Sequence, residues 1–333
     1  MEIGHFNEQQ ARAAVRFLIT VATVHHKIQM SELEATCINA IQHNIYLCDY
    51  ALDKLNEISE NELAKTILDE KQRLELVRAG MFLIAAESHI DSGKTQVLKS
   101  FAGALKVQEN DLDGLEEMSH DHMEMATLDF MRRKAHPKYS MTDPLIQKTL
   151  KDHSLESLWK YLMPLTSATC KQDIKLANRY KNLKNYPINT VGYHLYEYYE
   201  KNNFKFPGEV EGDNPEFPMI IHDISHVLGD YQPTPEEEME VLAFTAGYRH
   251  GRGFDAVFQA IVHFHLGLKI DAAFQPYQDR FQPEPFFKAL KRGNQMNVDL
   301  FHNWDPWSIM DKDINEVREN FNIQPKTPNH TDN

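Results

Sequence analysis

No stretch of this chain alternates apolar and polar residues at period two for more than a few positions. Apolar residues instead recur at spacings of three and four from Asn7 to about Lys134, and again beyond Leu145. Side chains on a helix advance by ~100° per residue, so this pattern gives each segment one apolar stripe and leaves no half-buried strand to pair into a sheet. The fold class expected is all-α. Val15, Leu18, Ile19 and Ala22 form the first stripe. Ser31 and Glu34 make a capping box for the helix carrying Leu33, Cys37 and Ile41. Glu60 to Leu76 reads as one charged amphipathic helix, Met81 to Ala86 opens a second apolar one, and Asp91 caps the helix of Val97, Leu98, Phe101 and Leu105.

The segments FLITVATVHHKIQMSELEATCINAI and MFLIAAESHIDSGKTQVLKSFAGAL repeat one plan: helix, polar turn, capped helix. Two such pairs bury their stripes against each other as a bundle. Residues 1–135 are therefore read as a first domain ending with a charged helix from Leu115 to Arg133. Pro137 and Pro144 mark a linker over 136–144. A second helical domain spans 145–322, with helices at Leu145–Leu150, Leu155–Leu162, Asp173–Leu183, Asn189–Glu200, Pro235–His250, Asp255–Leu268 and Pro283–Met296. The tail 323–333 has too few apolar residues to order itself.

Lys and Arg number 35 against 49 Asp and Glu, a formal net charge of −14. That balance speaks against a general nucleic-acid partner, since such binding requires a cationic face, and leaves room for a local basic patch. Cys37, Cys48 and Cys170 are scattered without a Cys-x-x-Cys pair, which suits a reduced compartment. Glu2, Arg12 and Arg16 interrupt any signal-like apolar core, and no window is apolar enough to span a bilayer. The expected location is cytoplasmic, with peripheral membrane contact left open.

The chemistry concentrates in IIHDISHVLGDYQPTPEEEMEV, residues 220–241. On a helix begun near Phe217 with Pro218 in its first turn, His222 and His226 stand one turn apart, with Asp223 ~100° from His222. Thr234, Pro235 and Glu237 then start the next helix with a capping box. In that phase Glu236, Glu237 and Glu240 share the wet face, while Glu238 falls with Val241, Leu242 and Thr245 on the apolar one. A lone buried carboxylate is costly unless paired, protonated or metal-bound. Ligands His222, Asp223, His226 and Glu238 suit Zn²⁺ first, with Fe²⁺ or Mn²⁺ as alternatives, and the absence of a thiolate leaves a catalytic role open. The bland alternative is a His–Glu ion pair stapling two helices.

Other candidates carry competing structural readings. Arg249, His250 and Arg252 could hold a substrate carboxylate, but basic residues before a glycine commonly close a helix. Tyr193 is a candidate substrate contact, and neighbouring His194 reads as a satisfied core histidine. His263 with His265, and His120 with His122, are two apart and poor chelates, the latter pair on a solvated face. Val257, Ile261, Phe264 and Leu268 could line a lipid groove or simply be core.

His222-Asp223-x-x-His226, eleven residues, then Glu238 resembles the signature of the coenzyme Q (ubiquinone) biosynthesis protein 4 family. PINTVGYHLYEYYEKNNF and HVLGDYQPTPEEEMEVLAFTAG are similar to its flanking segments, over about Leu155 to Leu268. Glu237 stands where that family usually has glycine. The resemblance implies an α-helical homodimer associated with prenylated quinone precursors and biosynthetic enzymes. It carries His222, Asp223, His226 and Glu238 over as metal ligands or their partners, with Glu238 and His222 as catalytic residues. The implied activity removes the ring carboxylate at C1 and hydroxylates that carbon. The N-terminal half is similar to the tellurite-resistance TerB-like helical domain, without that family's Asp-Gly turns, and reads as a docking module. Two rivals stand beside this reading: a non-catalytic isoprenoid-binding scaffold, and an HD-type phosphohydrolase using His222 and Asp223 with His194 and Asp255 or Asp271.

Overall fold

The structure is a computed structural model that describes residues 5–109, 111–120, 122, 126, 172–210, 216–250, 253–269, 275–301 and 304–326. The described residues form an all-α molecule, their only β pairings being two isolated bridges, Thr190 with Asp313 and Leu266 with Gln278. None of their helices is long and apolar enough to cross a membrane. The linker at 136–144, the helices expected at Leu145–Leu150 and Leu155–Leu162, Arg252, Asp271 and Cys170 lie outside the described residues.

The repeat in the first half folds as two helix pairs. Helices α1 (Glu8–Thr23) and α2 (Glu32–Ile41) form one, α4 (Glu70–Ala85) and α5 (Ser92–Leu105) the other. Ser31 and Glu34 close a full capping box, and the Asp91 side chain accepts from the Lys94 N–H. The charged segment Glu60 to Leu76 is not one helix. It divides into α3 (Glu60–Thr66) and the start of α4, because Asp69 caps a new helix by accepting the Gln72 N–H at 3.0 Å. Arg73 secures the break by donating to the carbonyls of Ile67 and Ala64. Helix α6 (Asp111–Ser119) packs on α5.

Beyond the first half run α7 (Ile174–Lys181), α8 (Val191–Lys201), α9 (Glu216–Gly229), α10 (Pro235–Tyr248), α11 (Phe254–Phe264), α12 (Pro283–Asn294) and α13 (Ile314–Asn320). Helix α11 stops short of the expected Leu268. The chain turns at Gly267, with φ +77°, and the His263 carbonyl accepts from Tyr277 instead of continuing the helix. Val257, Ile261, Phe264 and Leu268 are buried in the core. Helices α10 and α12 make the tightest crossing. A Cβ on Gly293 would overlap the Phe244 carbonyl, so only glycine lets the two backbones approach this closely.

The two halves share one core. Phe82 of α4 is ringed edge-on by Phe254, Phe258, Phe286 and Phe287, with centroids 5.3 to 6.1 Å away. His265 Nε2 donates to the Ala86 carbonyl at 3.0 Å, while its Nδ1 accepts the Phe281 N–H at 3.0 Å. This histidine is thus a satisfied core residue, and burial lowers its pKa.

Phe82→Ala should cost about 3–5 kcal/mol by cavity formation. Every tryptophan lies in the second half, at Trp159, Trp304 and Trp307. Denaturant unfolding followed by tryptophan fluorescence should therefore shift to a lower midpoint although the substitution is in the first half. An unchanged midpoint would show that the halves do not share this core.

Candidate metal centre

Helices α9 and α10 meet at a corner, and the sequence fixes both ends of it. The last carbonyls of α9 have no partners within the helix. Arg318 donates to those of Leu228 and Val227 at 3.0 Å each, and Arg292 to that of Gly229 at 3.0 Å. Cations at this end also complement the helix dipole. After the turn, Pro235 occupies the first position of α10 and the Thr234 hydroxyl accepts the Glu237 N–H at 3.3 Å. The expected capping box is only half made. The Glu237 carboxylate accepts from the Gln232 N–H and pairs with Lys326 instead.

Across this corner three side chains converge. His222 Nε2 lies 3.2 Å from one Glu238 oxygen, His226 Nε2 3.4 Å from the other, and the two Nε2 atoms are 3.1 Å apart. Among the described residues this is the one His/Cys/Asp/Glu group whose ligand atoms gather closely enough to hold an ion. A tetrahedral ion with bonds of ~2.0–2.1 Å has ligand–ligand edges of ~3.3–3.4 Å, and each of these three contacts is close to such an edge, the imidazoles meeting different oxygens of the one carboxylate. His226 Nδ1 lies 3.1 Å from the Tyr231 carbonyl. A carbonyl only accepts, so Nδ1 carries a proton, and Nε2 is the ring nitrogen left to face the site as a ligand when a metal is bound.

Electrostatics reinforce the geometry. Glu238 has a side chain 14% exposed, and burial opposes its ionisation. Hydrogen bonds and charge from His222 and His226 outweigh burial and hold its pKa at about 2. Burial likewise opposes protonation of His222, but Glu238 and Asp223 more than offset this and raise its pKa. Two imidazole lone pairs 3.1 Å apart repel unless a proton or a cation lies between them.

Asp223 does not join the triangle. Its carboxylate accepts from the Tyr199 hydroxyl of α8, and burial raises its pKa. Standing ~100° round α9 from His222, it faces α8 and acts on the ligands only through its charge. Glu240, expected in water, is more buried than Glu238, because α12 and Lys326 cover that face of α10.

The proposed substrate contacts are not brought to the centre. Arg249 closes α10 eleven residues beyond Glu238, about 16 Å away at ~1.5 Å per residue, and lies 4.2 Å over the Phe301 ring. Tyr193 packs beside His194 and Tyr196. His194 is half-exposed near Glu197, not a core residue. His120 and His122 are exposed as expected. Sequence reasoning missed Tyr198, whose ring stacks on His226 at 5.3 Å. Its signal was the helical phase: Tyr198 and Tyr199 lie together on the side of α8 facing α9. No family model matches the chain, and no curated protein or solved structure does either.

Removing a true ligand should weaken binding of Zn²⁺ far more than disturbing its neighbours. Glu238→Gln and His226→Ala should exceed the ~10–100-fold loss expected for Asp223→Asn, measured by competition with a chromophoric chelator. Proton and metal also compete for His222. In metal-free protein its raised pKa contributes stability that is full below the unfolded value of 6.5 and is lost as pH rises through the folded value. Glu238 contributes above 4.5 and loses this contribution as pH falls toward about 2. Metal affinity should accordingly climb as pH rises through the His222 titration, then level off. Equal losses in all three variants, or affinity flat across that range, would reduce the triangle to an ion pair.

Proposed function

We propose that His222, His226 and Glu238 hold a divalent metal, and that the chain uses it in the C1 decarboxylation and hydroxylation of a prenylated aromatic acid of the ubiquinone-precursor type. The observation that carries the metal reading is the triangle of side chains in which two imidazole Nε2 atoms lie 3.1 Å apart, one 3.2 Å and the other 3.4 Å from an oxygen of the Glu238 carboxylate. Structural zinc sites close with four protein ligands. Three converge here among the described residues, which leaves coordination positions for water, oxygen or substrate. Two histidines and one carboxylate suit Zn²⁺ and equally the facial triad of Fe²⁺ oxygenases. Net replacement of the ring carboxyl by hydroxyl releases CO₂ and consumes O₂, two electrons and two protons, with water as the second product. That stoichiometry favours Fe²⁺ for turnover.

The metal, when bound, would polarise a substrate oxygen and stabilise negative charge on it. Glu238 and His226 hold the site in register, and His222, with a side chain 22% exposed, gives the approach from solvent. Tyr198 stacks on His226 near the charges of Glu238 and Asp223, and burial followed by those charges pushes its pKa up. It therefore keeps its proton and can donate a hydrogen bond to a substrate oxygen. The substrate class, a homodimer and biosynthetic-enzyme partners rest on the family resemblance of residues 155–268. The phosphohydrolase alternative requires His226 and Glu238 to be dispensable for metal, whereas both belong to the triangle.

The test supplies Fe²⁺-loaded protein with oxygen, a two-electron donor and a prenylated aromatic acid labelled in its ring carboxyl. Labelled CO₂ should be released, and Glu238→Gln should abolish release. Tyr198→Phe should lower kcat by roughly 10²-fold with metal content unchanged. Lipid binding without CO₂ release from protein loaded with Fe²⁺, Mn²⁺ or Zn²⁺ would leave a scaffold with a structural ion.

A further inference from the structure

A second polar site lies behind the metal corner, where α10, α12 and the segment 324–326 meet the first half of the molecule. It is a cavity of about 260 Å³ lined by Lys288, Lys291, Arg292 and Lys326, with Glu240 as its one acidic residue and Asn44 from the first half. Four cations gather here in a chain whose net charge is −14. Lys288, Lys291 and Arg292 fall at helical spacings of three and four, so like charges share one face of α12 at an electrostatic cost.

The partners of these cations show which charge is unspent. Lys288 pairs with Glu284 one turn away, and Lys326 is taken up by Glu237 and more loosely by Glu240. Arg292 is buried, yet its guanidinium donates only to neutral oxygens: the carbonyls of Gly229 and Gln324 and the Tyr231 hydroxyl. Lys291, half-buried at the cavity wall, makes no ion pair with any described residue. A buried guanidinium and an ammonium that meet no carboxylate among the described residues give the cavity a positive potential that Glu240, the one acid among its described lining residues, does not cancel.

We propose that this cavity binds a small phosphate-class anion. Its volume is below the ~300–1,000 Å³ typical of sites for drug-sized ligands, and four cationic side chains stand in its wall, so it suits a headgroup or a free di- or monophosphate, not a whole lipid. Lys291 supplies the open charge, Lys288 a flexible donor at the rim, and Arg292 a fixed field from below. Asn44 lies on the π-helical turn Gln42–Tyr46, a geometry frequent at functional sites, which places the first half at the cavity wall. This site is separate from the His222–His226–Glu238 triangle and does not depend on the reaction proposed there.

The test is calorimetric titration of the full chain with pyrophosphate and inorganic phosphate, in chloride buffer at fixed ionic strength. Pyrophosphate should bind saturably at one site per chain. Lys291→Gln should weaken it roughly tenfold with an unchanged circular dichroism spectrum. Glu240→Gln, which removes the only acid of the lining, should tighten it several-fold. Absence of saturable binding, or parental affinity in folded Lys291→Gln and Glu240→Gln variants, would overturn the proposal. The source of the phosphate is decided by sedimentation with phosphatidylcholine vesicles with or without phosphatidic acid. Capture by phosphatidic acid that pyrophosphate reverses identifies a lipid headgroup, and pyrophosphate binding without capture identifies a soluble ligand.

Discussion

The Glu238 carboxylate meets two imidazoles across the corner between α9 and α10, and much of the second half is arranged to keep that meeting in place. Burying a carboxylate and two histidines costs free energy that only mutual contact or a shared cation recovers. Their positions must therefore be fixed to within a few tenths of an ångström, from outside the triangle. Arg292 and Arg318, sixty or more residues downstream, tie down the carbonyl end of α9. Tyr231 contributes twice: its carbonyl sets the His226 tautomer, and its hydroxyl accepts from Arg292. The centre thus draws on α12 and α13 as well as on the two helices that carry its ligands.

The same dependence reaches the first half. Helix α12 supplies Arg292 and the glycine contact with α10, and its other side lies on α2 and the π turn. Phe286 and Phe287 of α12 close on Phe82 of α4. A helix packed on both sides loses freedom that one packed on a single side retains. The N-terminal bundle therefore acts as the buttress for α12, and through α12 for the corner.

What could be read from the sequence follows the range of each interaction. Ser31 with Glu34, Asp91, and Thr234 with Pro235 are local signals, and each helix begins where they place it. The inward turn of Glu238 was legible because capping fixed the phase of α10. Glu240 was misplaced because its surroundings come from Lys326, far along the chain. Asp69 was a local cap that went unread inside a charged run, so one helix was expected where two form. Asp223 and Tyr193 stand outside the triangle for a third reason. Helical spacing gives angles about one axis, and which neighbour fills each angle is decided by packing: α8 presents Tyr199 to Asp223 and Tyr198 to His226.

The Asp223–Tyr199 contact then bears on what the triangle can hold. A buried carboxylate close to the histidines contributes negative potential without occupying a ligand position. In metal-free protein that potential, together with the Glu238 carboxylate, favours the protonated form of His222. A divalent cation held by the same side chains would displace that proton and set two positive charges, where the proton sets one, against the carboxylates of Glu238 and Asp223. Asp223 thus stands beside the ligand side chains and not among them, and an ion held by His222, His226 and Glu238 would keep a coordination position unfilled by protein among the described residues.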